Sequence, residues 1–529
     1  MRLKRRLAPL LAATGLLAAT LPLLAAAPAS AAPEPEYLNQ KPEWHRCRSD
    51  RPAAYECATL KVPLDYRKPD GRMLDLAISR LRSENPTARH GVLLLNPGGP
   101  GVSGIYRPLK MNELMPREVR DRYDLIGFDP RGVGDSSPIT CGLTDAERKD
   151  ERPYHPETFP EEVAWARTVA DKCREKAGDV LPHITTRNTA RDMDTIRAVL
   201  GERKISYVGY SYGTYLGAVY TQMFPGRTDR FVLDSGVDPK RIWRGMMQVW
   251  ATGAKPAFDR WTVWAAERSA EYGLGDTPEA VSATFWGLVA RADREPFLFH
   301  GEEVTGDALR GDPVMFFAPR EASSVVRGLK AAAEGTTPAE GAPVRDARAL
   351  SAGADPDAAG PSADAGPQSA GDNSTAVIWA VTCGDTGSWP RYTEQYERDA
   401  ARDKVRYPLY GDFASNIKPC AFWDRPVEAA TPMTKPAGVL TVQNEWDSRT
   451  PLASGQGLHD ALKGSRMVLV EGGEGHGVYL SRPDACANAP VNDYLITGRL
   501  PSKDVTCQNP PRDIERDETL AAPSRAPLP

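Results

Sequence analysis

Ser211 lies at the centre of the run GYSYG at residues 209–213, which has the pattern Gly-x-Ser-x-Gly. An apolar run at residues 205–208 predicts a strand before it, and the pattern of residues 212–224 predicts a helix after it. A serine on so tight a strand-to-helix turn exposes its hydroxyl, and the flanking glycines leave room for the neighbouring elements. An ordinary glycine-rich turn is the alternative, but the context favours chemistry. We therefore predict that Ser211 is the nucleophile of an acyl-transfer reaction.

A serine hydroxyl is a weak nucleophile and needs a base within hydrogen-bond reach. Of the seven histidines, His459 and His476 follow the serine in the part of the chain where this base is expected. His459 lies in the helical pattern of residues 453–463, where a histidine is most often a surface residue. His476 lies in a glycine-rich loop after a predicted strand at residues 467–471. Such a loop can carry an imidazole over the serine, so we predict that His476 is the base.

The base in turn needs an acid that fixes its tautomer and stabilises the imidazolium. Asp447 follows the predicted strand at residues 439–443 and is the acid that we predict. Glu445 lies two residues away, and Asp234 and Asp238 follow an earlier predicted strand, so these three remain alternatives. Asp447 could also do no more than cap a helix that follows it.

Acyl transfer also needs N–H donors for the oxyanion that develops in the transition state. The run NPGGPG at residues 96–101 follows a predicted strand, and glycine there lets the backbone approach a substrate closely. We predict that the N–H of Gly99 is one donor and that the N–H of Tyr212, directly after the nucleophile, is the other. A plain glycine-proline turn is the alternative.

Strands and helices must position these residues. Short runs rich in Val, Ile, Leu and Tyr predict strands, and several runs are nearly unbroken, as expected for strands covered on both faces of a parallel sheet. Helices are predicted at residues 189–200, with Asn188 or Thr189 as the cap, and at residues 212–224. This alternation predicts an α/β class with a doubly wound, mostly parallel sheet, in the form of the α/β-hydrolase fold. The predicted strands are residues 75–80, 91–96, 123–129, 205–210, 230–234, 439–443 and 467–471.

The alternation stops after residue 234 and resumes near residue 436. We predict a core of two halves, residues 44–238 and 436–508, with a mainly helical cap inserted at residues 239–435. Within the cap, residues 335–373 are dominated by Ala, Gly, Pro, Ser and Asp and are predicted to form a low-complexity loop. The tail at residues 509–529, rich in Pro and charge, is predicted to be disordered.

The beginning of the chain has the pattern of an exported protein. Basic residues, an apolar run at residues 7–27 and the small-residue site ASA at 29–31 predict a secretory signal peptide at residues 1–31. Residues 32–43 could be a prosegment or an N-terminal arm. The net charge of −4 is spread along the 529 residues without a basic cluster, which argues against nucleic-acid and membrane partners. We expect a secreted enzyme with a small or peptide substrate, and the oligomeric state stays open.

The eight cysteines indicate disulfides, because the count is even and the chain is predicted to be exported. Sequence proximity favours the pairs 47–57, 141–173, 383–420 and 486–507, although other pairings are possible. The sequence has no Cys-x-x-Cys pair, and it implies neither a metal nor an organic cofactor.

As a set, these motifs resemble the secreted tripeptidyl aminopeptidases, relatives of the prolyl aminopeptidases among the α/β-hydrolases. The resemblance covers most of both halves of the core but little of the cap, which selects the substrate in this group. It implies that the protein releases short peptides, specifically tripeptides, from the free N-termini of peptides. The matching runs are ECATLKVPLDY at 56–66, NPGGPG at 96–101, FDPRGVG at 128–134, GYSYGT at 209–214, Asp447 with TP at 450–451, and GHG at 475–477.

The resemblance further implies a carboxylate in or beside the cap that holds the α-ammonium of the substrate. Asp385 is our candidate, because it follows an apolar run next to Cys383 where the cap returns to the core. A solvated loop aspartate is the alternative.

Three other functions remain open. Serine carboxypeptidases also combine a glycine-rich run with a Gly-x-Ser-Tyr motif, but Tyr210 here replaces the glutamate that those enzymes have before the nucleophile. A secreted carboxylesterase or lipase would use the same triad. A non-catalytic binding protein is the third, and the intact Ser211, Asp447 and His476 argue against it.

Overall fold

The computed structural model describes residues 35–336 and 371–510. The predicted signal peptide, most of the predicted low-complexity loop and nearly all of the predicted disordered tail lie outside the described residues. Within the described residues no helix has both the length and the apolar character that crossing a bilayer requires.

A ten-stranded sheet with the order β1-β2-β3-β5-β4-β6-β7-β10-β11-β12 forms the centre of the described part of the chain. From β5 to β12 neighbouring strands are parallel, whereas β1, β2 and β3 extend the sheet in antiparallel fashion at one end. The strands are β1 (His45–Arg46), β2 (Tyr55–Pro63), β3 (Met73–Leu81), β4 (Gly91–Asn96), β5 (Tyr123–Phe128), β6 (Ile205–Tyr210), β7 (Thr228–Asp234), β10 (Leu440–Trp446), β11 (Arg466–Glu474) and β12 (Val505–Gln508). The α/β-hydrolase fold and the seven strands expected from the sequence are confirmed.

Both faces of the central strands are buried. All six residues of β4 are buried; Leu94 packs into the apolar cluster on one face, and Leu93 and Leu95 pack into the cluster on the other. Burial of both faces explains why the central strands are nearly continuous apolar runs rather than alternating ones.

Helices cover the sheet and form most of the inserted segment. They are α1 (Arg107–Leu114), α2 (Arg117–Arg120), α3 (Asp145–Arg148), α4 (Phe159–Ala177), α5 (Thr186–Val199), α6 (Tyr212–Met223), α7 (Arg244–Ala266), α8 (Ser269–Tyr272), α9 (Pro278–Arg294), α10 (Gly306–Gly311), α11 (Pro319–Glu334), α12 (Asn373–Gly384), α13 (Thr393–Arg406), α14 (Gly411–Ser415), α15 (Leu452–Ala461) and α16 (Asn488–Thr497).

The predicted start of α5 was wrong by three residues. The side chain of Thr185, rather than that of Asn188 or Thr189, caps the helix by accepting the N–H of Asn188. A threonine with extended backbone three residues before that N–H satisfies an otherwise unpaired donor, so the helix begins earlier than its apolar pattern indicates.

The segment between β7 and β10, here called the cap segment, is mainly helical, with one small hairpin of β8 (Phe297–Phe299) and β9 (Glu302–Val304). Trp261, Phe258, Phe285 and Phe316 pack together in an apolar cluster of its own. Its separate core is what an inserted domain requires, and the predicted boundaries at residues 239 and 435 remain a proposal.

All four predicted disulfides are present, which confirms the predicted pairing. They join Cys47 to Cys57, Cys141 to Cys173, Cys383 to Cys420, and Cys486 to Cys507. Each closes a loop of the chain, and cross-links of this kind are characteristic of proteins from oxidising compartments.

Candidate active site

Ser211 occupies the turn between β6 and α6. Its backbone is left-handed, with φ 55° and ψ −123°, a conformation that is strained for a residue with a side chain. The two flanking glycines are required by space: a Cβ at Gly209 would come within 2.5 Å of the ring of Tyr207, and one at Gly213 within 2.7 Å of Asn96 Oδ1. The turn therefore has the crowding that the Gly-x-Ser-x-Gly pattern predicts.

Neighbouring strands and loops hold this turn in place. The N–H of Ser211 donates to the carbonyl of Asp234 at 2.9 Å, and the Thr214 hydroxyl donates to the carbonyl of Ser211 at 2.7 Å. A Cβ at Gly98 would lie 2.9 Å from the Cβ of Ser211, so the glycine-rich loop after β4 lies directly against the serine.

The structure brings the predicted base and acid together. Nδ1 of His476 lies 2.9 Å and 3.1 Å from the two carboxylate oxygens of Asp447, which is fully buried. An Nδ1–H that donates to Asp447 leaves Nε2 of His476 as the proton acceptor. Burial lowers the pKa of His476, but the charge and hydrogen bond of Asp447 outweigh this effect and raise the pKa above 6.5.

Asp447 has a complete set of hydrogen-bond donors. Besides His476, the N–H groups of Arg449 and Thr450 donate to it at 2.8 Å each, and the Thr450 hydroxyl donates at 2.9 Å. Burial alone would raise the pKa of Asp447, but His476 and these donors lower it below 3.8. The buried carboxylate is thereby kept ionised behind the imidazole.

The alternative acids and the alternative base have other partners. Glu445 accepts the N–H of Gly472 and links β10 to β11, and Asp238 accepts the N–H of Lys240. His459 lies on α15, where Nδ1 contacts the Ser465 hydroxyl at 2.8 Å. None of these contacts involves His476.

Asp234 is a second buried carboxylate beside the loop of His476. It accepts the N–H groups of Val478 and Tyr479, at 3.0 Å and 2.6 Å, and the Ser235 hydroxyl at 3.0 Å. Burial raises the pKa of Asp234 to about 7. Its carboxylate thus organises the turn after His476, while its carbonyl holds the N–H of Ser211.

The glycine-rich loop has the backbone that the predicted oxyanion site needs. Gly98, Gly99 and Gly101 have φ values of 106°, 102° and 89°, which residues with side chains rarely adopt. The loop is anchored by Asn96 Oδ1, which accepts the N–H of Gly98 at 3.0 Å. Gly98 thus lies against the serine with Gly99 next to it along the loop, and the N–H of Tyr212 lies in the first turn of α6. Their role as oxyanion donors remains a proposal.

Asp385 lies at the C-terminal end of α12 and is buried. It accepts the N–H and hydroxyl of Thr186, at 2.8 Å and 2.6 Å, and the indole N–H of Trp243 at 3.2 Å. Burial raises the pKa of Asp385 to about 6. The carboxylate therefore joins the end of α12 to the start of α5 and to Trp243 just before α7, and it is not solvated.

Two carboxylates that the sequence analysis missed share a charged neighbour, Arg449, with the candidate triad. Burial raises the pKa of the half-buried Asp312 to about 6; the pKa of Glu151, a residue that stays exposed to solvent, is raised by desolvation and by the charge of Asp150, and the charge of Arg449 lowers both. Arg449 also lowers the pKa of His476, so its charge acts on the triad and on both acids. Among the described residues neither acid forms an ion pair within 4.0 Å. We call Glu151 and Asp312 the cleft acids; no motif surrounds either one in the sequence.

A left-handed serine between a central parallel strand and a helix, with an Asp–His pair from two later loops, defines a serine hydrolase of the α/β-hydrolase class. Family models agree: residues 91–275 match the α/β hydrolase fold, and residues 407–507 match the TAP-like protein family. The chain belongs to the tripeptidyl aminopeptidase family. It is 35% identical over 485 residues to the tripeptidyl aminopeptidase of Streptomyces lividans, an alignment that covers 88% of this chain and 86% of the relative.

Two further relatives have different names. The serine protease Hip1 of Mycobacterium tuberculosis is 30% identical, over 89% of this chain and 91% of the relative. A protein named carboxylesterase B, also from Mycobacterium tuberculosis, is 30% identical, over 95% of this chain and 98% of the relative. The family therefore includes proteins named as peptidases and one named as an esterase.

Proposed function

We propose that the protein is a secreted serine exopeptidase that releases tripeptides from the free N-termini of peptides. The observation that carries the proposal is the contact of His476 with the buried Asp447, in a loop that Asp234 connects to the turn of Ser211. The similarity to the Streptomyces lividans enzyme supports the choice of substrate. Secretion is supported by the four disulfides.

The proposed reaction proceeds through an acyl-enzyme. Nε2 of His476 takes the proton of Ser211 as the oxygen attacks the scissile carbonyl, and the N–H groups of Gly99 and Tyr212 stabilise the oxyanion. The imidazolium, held by Asp447, then gives its proton to the leaving amine, and the C–N bond breaks. Water, activated by the same imidazole, hydrolyses the ester and releases the tripeptide.

The cleft acids are the better candidates for the α-ammonium of the substrate. The oxygens of Asp385 are already occupied by Thr186 and Trp243, so the amine-binding role that the sequence suggested for it is a weaker proposal. Glu151 and Asp312 have raised pKa values, and an approaching ammonium would stabilise their ionised forms. Two carboxylates near the triad would select a free N-terminus.

Two forms of one tripeptide p-nitroanilide, one with a free N-terminus and one with an acetylated N-terminus, test this function. A charge-assisted hydrogen bond contributes about 1.5–3 kcal/mol, so acetylation should lower kcat/KM by about tenfold to a hundredfold. Glu151→Gln and Asp312→Asn should each reduce that preference, whereas Asp385→Asn should keep it. Ser211→Ala is the inactive control. Equal rates on both substrates would reject the aminopeptidase function.

A carboxylesterase is the second candidate, since one relative that aligns over nearly its whole length is named carboxylesterase B. Short p-nitrophenyl esters in the same panel distinguish the two functions. Rapid ester hydrolysis with no cleavage of any free tripeptide anilide would establish the esterase.

A further inference from the structure

A small cavity lies beside His476, on the side formed by α1. Its volume is about 70 Å³, enough for a carboxylate group. His476 and Pro97 border it, and Arg107 and Lys110 of α1 face them together with Tyr479 from the loop after β11. No residue that lines it belongs to the cap segment.

The cavity is cationic. Its lining contains Arg107 and Lys110 but no carboxylate. The Arg107 guanidinium lies over the ring of Tyr210 at 5.1 Å, and its Nε is buried without a hydrogen-bond partner among the described residues. Neither cation forms an ion pair with a described residue. Two positive charges without a counter-charge in the lining therefore border the space beside the candidate base.

The orientation of the bound peptide indicates which part of the substrate would occupy this cavity. If the α-ammonium binds at the cleft acids near the cap segment, the tripeptide lies on that side of Ser211. His476 must then deliver its proton to a leaving amine on the other side, where the lining comes from the core alone. In a tetrapeptide the leaving group is one amino acid, whose carboxylate is two bonds from that amine.

We propose that Arg107 and Lys110 form a leaving-group subsite for a free carboxylate, so that the preferred substrates are tetrapeptides that end one residue after the scissile bond. The inference rests on the proposed function, because it needs a peptide that is cleaved three residues from its N-terminus. Charge-assisted hydrogen bonds to guanidinium and ammonium groups would hold the released residue's carboxylate.

Three substrates with the same tripeptide test this subsite: the tetrapeptide acid, the tetrapeptide amide and the p-nitroanilide. Wild-type kcat/KM should be at least about fivefold higher for the acid than for the amide, and the difference should shrink as salt is added. Lys110→Gln should remove most of the acid's advantage and affect anilide cleavage by a smaller factor, because the p-nitroaniline leaving group has no carboxylate. Arg107→Gln should likewise lower kcat/KM for the tetrapeptide acid, and Arg107→Lys should recover part of that loss.

Lys61→Gln is the matched control, because Lys61 lies on β2, is exposed and pairs with Asp75. It should leave all three rates unchanged. Equal wild-type rates for acid and amide would overturn the subsite, and so would a Lys110→Gln variant that slows all three substrates equally. Failure of the wild type to cleave the anilide would instead reject the proposed function, and the subsite with it.

Discussion

Asp234→Asn is the most informative single substitution, because it keeps the size of a buried side chain and removes its charge. The carboxylate accepts two N–H groups of the turn that follows His476, and it contacts the Ser235 hydroxyl. Asparagine keeps one acceptor oxygen but presents an NH₂ group to the remaining donors. The turn should shift, and kcat/KM should fall at every pH.

The effect on stability depends on pH, and its sign follows from the raised pKa of Asp234. The folded protein binds this proton more tightly than the unfolded chain, so the stabilisation is present at low pH and is lost as pH rises from 3.8 to about 7. That difference in pKa corresponds to about 4 kcal/mol. An unpaired buried N–H in the variant costs about 1–3 kcal/mol at every pH. The variant should therefore be less stable than the wild type in acid and should match or exceed it above neutrality.

Urea unfolding of both proteins at about pH 4, 6 and 8, with disulfides intact, measures this difference. Asp238→Asn is the matched control, because it removes a carboxylate from the loop that follows β7 without touching the turn after His476. It should leave the pH dependence of kcat/KM unchanged. A difference in unfolding free energy between wild type and Asp234→Asn that stays constant with pH would refute the reasoning.

Three further predictions concern the triad. Asp447→Asn should lower kcat by about 10⁴-fold by upsetting the imidazole tautomer, whereas Glu445→Gln should stay near wild type; the opposite result in anilide kinetics would move the acid to Glu445. The rate should rise with pH through a midpoint above 6.5, because only neutral His476 accepts the proton and Asp447 raises its pKa; a flat kcat/KM profile would contradict a histidine base. Thr450→Val should lower kcat/KM by about tenfold, since it removes a donor to a buried charge, and Thr450→Ser should restore the rate unless the threonine only packs.

The parts of the fold that the sequence predicted are those in which local pattern and tertiary structure agree. The central strands are continuous apolar runs because both of their faces are buried, so composition alone identifies them. Strands β1, β2 and β12 were missed: β1 has two residues, both exposed, and β2 and β12 place exposed residues between covered ones, so none of the three has a continuous apolar run to detect. The disulfides followed from sequence proximity, because each pair closes a short or moderate loop.

The turn of Ser211 and the loop of His476 could be predicted because their geometry is encoded locally. A strained serine needs glycines within two residues on either side, and a loop histidine needs a flexible approach at the end of a strand; both requirements leave marks in adjacent sequence. Asp447 had competitors because a carboxylate needs no such neighbours, and only the fold separates it from Glu445, whose side chain turns to β11 instead.

Electrostatic contacts between residues that are distant in the sequence cannot be recognised from the neighbouring residues in this way. Asp385 looked like a pocket carboxylate because it follows an apolar run, yet that run is a helix, and its end is held by Thr186 at the start of α5. Glu151 lies in a charged stretch and Asp312 precedes the apolar run PVMFF at 313–317, and neither context indicates the charge of Arg449 that acts on both carboxylates. A residue that recognises one end of a substrate must lie at a set distance from the nucleophile in space, whatever its distance along the chain. In the proposed function, substrate recognition is therefore assigned to residues whose sequence context is arbitrary, while the chemistry is assigned to residues whose context is fixed by the backbone.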